Sequence, residues 1–184
     1  MTTWTFEPGH TAAEFCVRHM MVSNIRGHFK NVHGKLKFNP ENPQDSSVEV
    51  TIDAKEIWSG ESERDDHLRS EDFLDVENYP EITFKGNQVE ILGAHDYTIT
   101  GDLTIRGVTR QAILDVSYSG SWETPWWEGD EDIGPKTRAG FVAKTKINRH
   151  DFGVSWNSTL EKGGIVVGNM VEIIIDAEAV LESS

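Results

Sequence analysis

The chain has one cysteine, Cys16. No intramolecular disulfide can form, so nothing marks an oxidising compartment. Cys16 sits in an apolar run, where a free thiol serves as a small buried residue. Basic residues are scarce: 17 Lys and Arg stand against 31 Asp and Glu, a formal net charge of −14. That balance argues against nucleic acid, whose backbone repels an acidic protein. It also argues against docking on anionic lipid, which wants a basic patch. No apolar run approaches the ~18 residues of a membrane-spanning helix, so an integral membrane protein is not expected. The first eight residues lack the basic and apolar regions of a secretory leader. The expectation is a cytoplasmic protein as the chain is given, and a periplasmic or secreted one if a leader has been trimmed.

Signatures of chemistry are missing too. There is no phosphate-binding or dinucleotide-binding glycine loop and no Gly-x-Ser-x-Gly elbow. None of the 7 histidines falls in a His-Glu-x-x-His frame, and a lone cysteine cannot make Cys-x-x-Cys. His28 and His33 are five apart, on opposite faces of an unbroken strand. Asp65 and His67 invite an acid–base dyad, but residues two apart on a helix do not face each other. No catalytic set, metal site or cofactor is expected.

What is present is alternation with period two. Tyr97, Ile99, Leu103 and Ile105 share one face, while Thr98, Thr100, Asp102 and Thr104 share the other. Val48 to Asp53, Gln111 to Tyr118, Ala139 to Ile147 and Val171 to Asp176 repeat the pattern. This is the signature of antiparallel strands with one wet face. Arg106-Gly107 reads as a short turn, with Gly107 free to take φ > 0. Helix-length segments separate few of the strands, so parallel crossovers are not expected. The 184 residues then form one all-β domain of about eight or more strands, a sandwich or a barrel.

Three stretches depart from the pattern. Between Phe29 and Phe38 the phase breaks, and Gly34 marks a bulge or corner bend there. Ser59 to Asp75 has an acidic start and predicts a short helical segment, with Ser59 or Ser62 as its cap. It is too polar for a core helix and is expected over one barrel end, with Leu68 and Phe73 turned inward. Trp122 to Asp132 carries three tryptophans and five acids. It reads either as a hairpin loop whose indoles fold back on the barrel, or as an aromatic contact patch for a partner subunit, which would allow a homodimer.

Several motifs in order resemble the YceI-like family. They are Phe6 to Phe15 with Val17-Arg18-His19; Gly27-His28-Phe29; Arg64 to Asp75 followed by Tyr79-Pro80 and Ile82-Thr83-Phe84; Gly101 to Thr109; and Ile147 to Val154 followed by Val167 to Val171. The resemblance covers nearly the whole chain, and the Trp-rich loop stands outside it. It implies a lipocalin-like antiparallel β-barrel that binds a long isoprenoid or other lipid. The implied function is non-catalytic holding of such a chain, of polyprenyl phosphate or quinone type, for carriage, storage or sequestration. The lining candidates are the apolar strand faces, Phe15, Val17, Phe38, Val50, Ile52, Phe84, Ile99, Leu103, Phe141 and Ile173, together with Leu68 and Phe73 from the capping segment. A polar head would need donors at a mouth, for which His19, Arg64, His67 and Arg69 are candidates. An ion-pair network with Asp65, Asp66, Glu71 and Asp72 is the competing role for the two arginines. An enzyme acting on the lipid, and an interaction module with a filled barrel, are the alternatives.

Overall fold

The alternating runs become strands of one continuous meander. A computed structural model describes residues 2–182. In chain order the strands are β1 (Thr2–Phe6), β2 (Ala12–His19), β3 (Ser23–Phe29), β4 (His33–Phe38), β5 (Ser47–Asp53) and β6 (Ile57–Trp58). After the one α-helix among the described residues, α1 (Ser62–Arg69), come β7 (Glu81–Ile91), β8 (Asp96–Ile105) and β9 (Val108–Thr124). A small hairpin of β10 (Trp127–Glu128) and β11 (Glu131–Asp132) precedes β12 (Lys136–Asn148) and β13 (Val167–Leu181).

The first six strands are three long strands, each broken once. Pro8–His10 forms a 3-10 turn between β1 and β2, where proline withdraws an N–H from the ladder. Lys30 to Val32 separate β3 from β4, and Asn31 takes φ 56°, a conformation asparagine tolerates better than most residues. Ala54–Glu56 breaks β5 from β6, and the Asp53 carboxylate accepts from the Lys55 N–H at 2.9 Å. Counted this way, eight antiparallel strands pair in sequence order, and β13 closes the ring against both β1 and β2. A closed barrel leaves few sheet edges exposed. The phase break expected at Gly34 falls at Asn31 instead, so His28 and His33 do not share an unbroken strand. Gly34 serves close packing: a Cβ there would stand 2.2 Å from the Glu49 carbonyl oxygen.

Two ends follow from the meander. One carries the start of β1, the end of β13, the β7–β8 turn and the Trp-rich hairpin. The other carries the β2–β3 turn, α1, the Arg106-Gly107 turn and the 149–166 connection. At the terminal end Phe38 stands edge-on to Tyr118 (5.1 Å) and Phe141 (5.3 Å), closing the interior with rings. At the helical end the predicted segment forms, but its cap is Glu61, whose carboxylate accepts from the Glu63 and Arg64 N–H groups. Ser59 donates its N–H and hydroxyl to the buried Asp65 carboxylate instead. The Arg106-Gly107 turn has φ > 0 at both positions, as a type I′ hairpin requires. Arg106 there reaches the Phe73 carbonyl at 2.9 Å.

Gly101 faces Gly86 across β8 and β7. A Cβ on Gly101 would meet the Lys85 carbonyl oxygen at 2.3 Å and the Gly86 Cα at 2.5 Å. Gly101→Ala is therefore expected to force the two strands apart, at a loss of ~1–3 kcal/mol. Thermal unfolding reads this directly; an unchanged Tm would mean the strands accommodate a methyl group at no cost.

Candidate ligand-binding cavity

Strand parity aims one face of every barrel strand at the axis, yet the side chains do not fill it. A cavity of about 280 Å³ runs through the barrel, far above the ~10–15 Å³ that admits a single water. On β8 alone it is bordered from Tyr97 to Ile105, about 27 Å along the strand at ~3.4 Å per residue. With the usual ~35–45° strand tilt, that is about 20 Å along the axis. The cavity runs from Phe6, Phe38, Tyr97 and Phe141 at the terminal end to Leu68, Phe73, Phe152 and Val154 at the helical end. The interior is hollow, which separates it from the filled barrel that the same alternation would also permit.

All twelve apolar candidates border this space. Phe15 and Val17 come from β2, Phe38 from β4, Val50 and Ile52 from β5, and Phe84 from β7. Ile99 and Leu103 come from β8, Phe141 from β12 and Ile173 from β13, with Leu68 from α1 and Phe73 just after it.

The four head-group candidates do not border it. Three of them, Arg64, His67 and Arg69, find partners in their own neighbourhood. Arg64 donates to the Ser59 hydroxyl (2.7 Å) and carbonyl (2.8 Å). Arg69 donates to the carbonyls of Lys55 and Ile57, both at 2.8 Å, and to Asp66 at 3.1 Å. Arg69 thus ties α1 to the β5–β6 break, and Arg64 ties it to Ser59 just after β6. His67 lies 2.9 Å from Asp72 and edge-on to Phe73 and Trp156. Its partner is therefore Asp72, while Asp65 accepts from Ser59, so the two residues of the conceivable dyad serve separate contacts. His19 ends β2, half-buried and paired with Val167.

Two charged side chains do border the cavity: the exposed Glu14 and the buried Arg149. Arg149 follows β12 in a 3-10 turn whose N-cap is Asn148, and it is only 5% exposed. Its Nε donates to the Gly168 carbonyl at 2.9 Å, and Nη1 to those of Val154 (2.8 Å) and Trp156 (2.9 Å). Nη2 donates to the Val167 carbonyl at 3.2 Å. Four of five N–H groups are thereby satisfied, and no carboxylate pairs with it among the described residues. Burial pulls its pKa below the ordinary arginine value, yet a guanidinium stays protonated. The helical end of an apolar cavity therefore holds one uncompensated positive charge. Sequence reading passed over Arg149 because it lies between strands, where parity says nothing.

The barrel wall also opens at this end. β6 pairs with β3 only at His28 and Phe29. Ser23 to Gly27 of β3 therefore have β2 as their one ladder partner among the described residues.

Elsewhere, Arg138 lies 2.7 Å from Glu178 and 3.3 Å from Glu7, and His10 lies 3.1 Å from Glu178. The hydrogen bond to Glu178, then the charges of Glu7 and Glu178, raise the His10 pKa. Burial pushes Glu7 up, but its hydrogen bonds with Glu178 and Arg138 and the charges of His10 and Arg138 outweigh this and lower it. The donor atoms of Glu7, His10 and Glu178 lie within 4.8 Å of one another, a spacing that suits a metal. The Arg138 guanidinium already pairs with both carboxylates. The Trp-rich hairpin divides between its two readings. Trp126 is held under Lys136 (3.9 Å) and Arg138 (4.8 Å), while Trp122 and Trp127 are 77% and 57% exposed.

A closed eight-stranded antiparallel barrel around an apolar cavity defines a lipocalin-like class of fold. Within it, the YceI-like domain model matches residues 4–179. A UPF0312 protein of Pseudomonas putida (strain W619) is 36% identical over 148 residues, 80% of this chain and 73% of that protein. The Campylobacter jejuni YceI protein superposes with a TM-score of 0.73 at 27% identity, covering 90% of each chain. A polyisoprenoid-binding domain from Saccharophagus degradans superposes with a TM-score of 0.63 at 11% identity, covering 99% of this chain and 100% of that one, a likeness of fold alone. The chain belongs to the YceI-like family. No described helix is long and apolar enough to cross a membrane.

Proposed function

We propose that the protein holds one slim, long apolar chain along its barrel axis, an isoprenoid of polyprenyl phosphate or quinone type or a similar lipid, for carriage, storage or sequestration. The observation that carries this reading is the cavity itself: hollow, elongated, and bordered almost wholly by apolar side chains. An eight-stranded barrel has room for one small ligand, and a narrow flexible chain suits its shape. Burial of each methylene stabilises by ~0.8 kcal/mol, offset by the cost of ordering the tail. Arg149 supplies a fixed positive charge at the helical end, where a phosphate or quinone oxygen would find a hydrogen-bond donor. The fold it shares with the Saccharophagus polyisoprenoid-binding domain supports the same ligand class. The lining residues are proposed to grip the chain, and no chemical step is assigned to the protein.

The test is organic extraction of the purified protein followed by mass spectrometry. A stoichiometric prenyl lipid, quinone or other long-chain lipid is expected. An empty extract, together with failure to take up such lipids from detergent, would overturn the reading. Conversion of the extracted lipid on incubation would replace it with the enzyme alternative.

A further inference from the structure

The β2–β3 turn departs from what its backbone asks for. His19 to Val22 form a two-residue hairpin closed by the Val22 N–H to the His19 carbonyl at 3.1 Å. Both central residues are left-handed, Met20 at φ 46° and Met21 at φ 63°. Such a turn favours Asn-Gly, because side chains with a Cβ are sterically disfavoured in this region. The chain nevertheless places two methionines and a valine there, 46%, 54% and 80% exposed. Strain that holds apolar side chains out in water is a feature of sites that meet something else.

The charge around the tip runs against the rest of the molecule. From Phe15 to Phe38 there is no Asp or Glu, while Arg18, Arg26, Lys30, Lys35 and Lys37 are present; the whole chain has 31 acids to 17 bases. Arg18 pairs with Asn24 and Arg26 with Cys16, so both exposed arginines flank the hairpin. Neither forms a salt bridge among the described residues. Arg18 donates to the Met21 carbonyl at 2.9 Å. The strand acids on this side stand back from the tip, Glu172 opposite Cys16 and Glu14 two residues further along β2, while Glu161, with Lys162 beside it, follows Leu160 in the connection whose Gly164 packs near Met21.

The tip also adjoins the cavity. Met20 donates its N–H to the Val166 carbonyl at 2.7 Å, and His19 pairs with Val167. Val167 borders the cavity and accepts from Arg149. The unpaired edge of β3 begins one residue after the tip.

From these observations we infer that Met20-Met21-Val22 is a membrane-docking element. It inserts into the headgroup region of an anionic bilayer, with Arg18 and Arg26 on the lipid phosphates, and so sets the barrel's open seam against the source of its ligand. The role in loading rests on the lipid-binding reading; the docking does not. The net charge of −14 does not forbid it. Surface fields fade over a Debye length of ~8 Å at physiological salt, so acids farther than that from the tip are largely screened. Apolar insertion and headgroup attraction add in such contacts.

Flotation with vesicles tests this, comparing phosphatidylcholine alone with phosphatidylcholine mixed with phosphatidylglycerol. The protein is expected to float with the mixed vesicles, less with the neutral ones, and less at high salt. Met20→Asn/Met21→Gly should weaken binding about tenfold or more, since each methionine would withdraw apolar area from water on insertion. The same pair suits the turn, so its Tm should not fall. Arg18→Glu/Arg26→Glu should abolish the preference for anionic vesicles. Uptake of an apolar lipid from detergent should be unchanged in the methionine variant. No flotation of the parent protein, or equal flotation of the tip variant, overturns the inference even if the barrel holds lipid. A tip-dependent dimer without flotation would assign the patch to a second copy and overturn it equally. A protein that floats through its tip but never carries lipid would uphold the docking and remove the function proposed above.

Discussion

Leu103→Arg is expected to abolish lipid retention. Leu103 sits on β8 opposite Phe84, is buried, and borders the cavity. An arginine there would place a charge among apolar side chains with no carboxylate in the lining nearer than the outward-facing Glu14. An uncompensated buried charge carries a penalty of several kcal/mol, against a total stability of ~5–15 kcal/mol for a domain. The variant therefore either loses the fold or turns its guanidinium into the tube and excludes the chain. Ala143→Phe separates these outcomes. Ala143 borders the cavity between Val116 and Ile175, so a ring there fills existing space and adds no charge. Its Tm should hold or rise while bound lipid per protein, read by mass spectrometry after extraction, falls severalfold. Full lipid occupancy in a folded Ala143→Phe variant would mean that the ligand does not lie along the axis.

That experiment probes what alternation alone leaves open. The parity of Tyr97, Ile99, Leu103 and Ile105 marks the inward face of β8 but is the same for a hollow tube and a solid core. Hollowness depends on how far opposite walls stand apart, which strand number and tilt decide. The three strand breaks were only partly legible. Pro8 announces one, but Asn31 and Ala54 interrupt their ladders within three residues, too short a span for a periodic pattern to register. The capping segment was placed over a barrel end with Leu68 and Phe73 inward, and both border the cavity. Its polar side chains do not border the cavity, for a local reason. The carbonyls of Lys55, Ile57 and Ser59 lie within reach of Arg64 and Arg69, and both guanidiniums donate to them rather than bordering the cavity. Net charge is likewise a sum over 184 residues and conceals the acid-free stretch from Phe15 to Phe38. Arg149 was quoted only as part of a family-like motif. Its partners come from Val154, Trp156, Val167 and Gly168, a convergence that exists only once β13 returns to close the barrel.

Arg149→Met should separate the two things that this buried charge does. Methionine keeps an unbranched stem and removes every donor. Four backbone carbonyls then lose their partner, and each buried acceptor left unsatisfied costs ~1–3 kcal/mol. Some will find water, so a loss of at least ~3 kcal/mol is expected, or a fall in Tm of about 6–12 °C for a chain of this size. That much follows from a structural role alone. The head-group role has a separate readout, taken at a temperature where both proteins are folded: affinity for a prenyl phosphate against a prenyl alcohol of equal chain length. The parent protein should favour the phosphate, because the guanidinium is fixed beside the cavity and no acid neutralises it. A charge-assisted hydrogen bond contributes ~1.5–3 kcal/mol, so the methionine variant should lose that preference by about tenfold to a hundredfold. Arg149→Lys, which keeps the charge with fewer donors, should lose stability but retain the preference. If the methionine variant binds phosphate and alcohol in the parental ratio, Arg149 is a clamp on the 149–168 connection and nothing more. The polar end of the ligand would then have to be sought among the backbone groups along the open edge of β3.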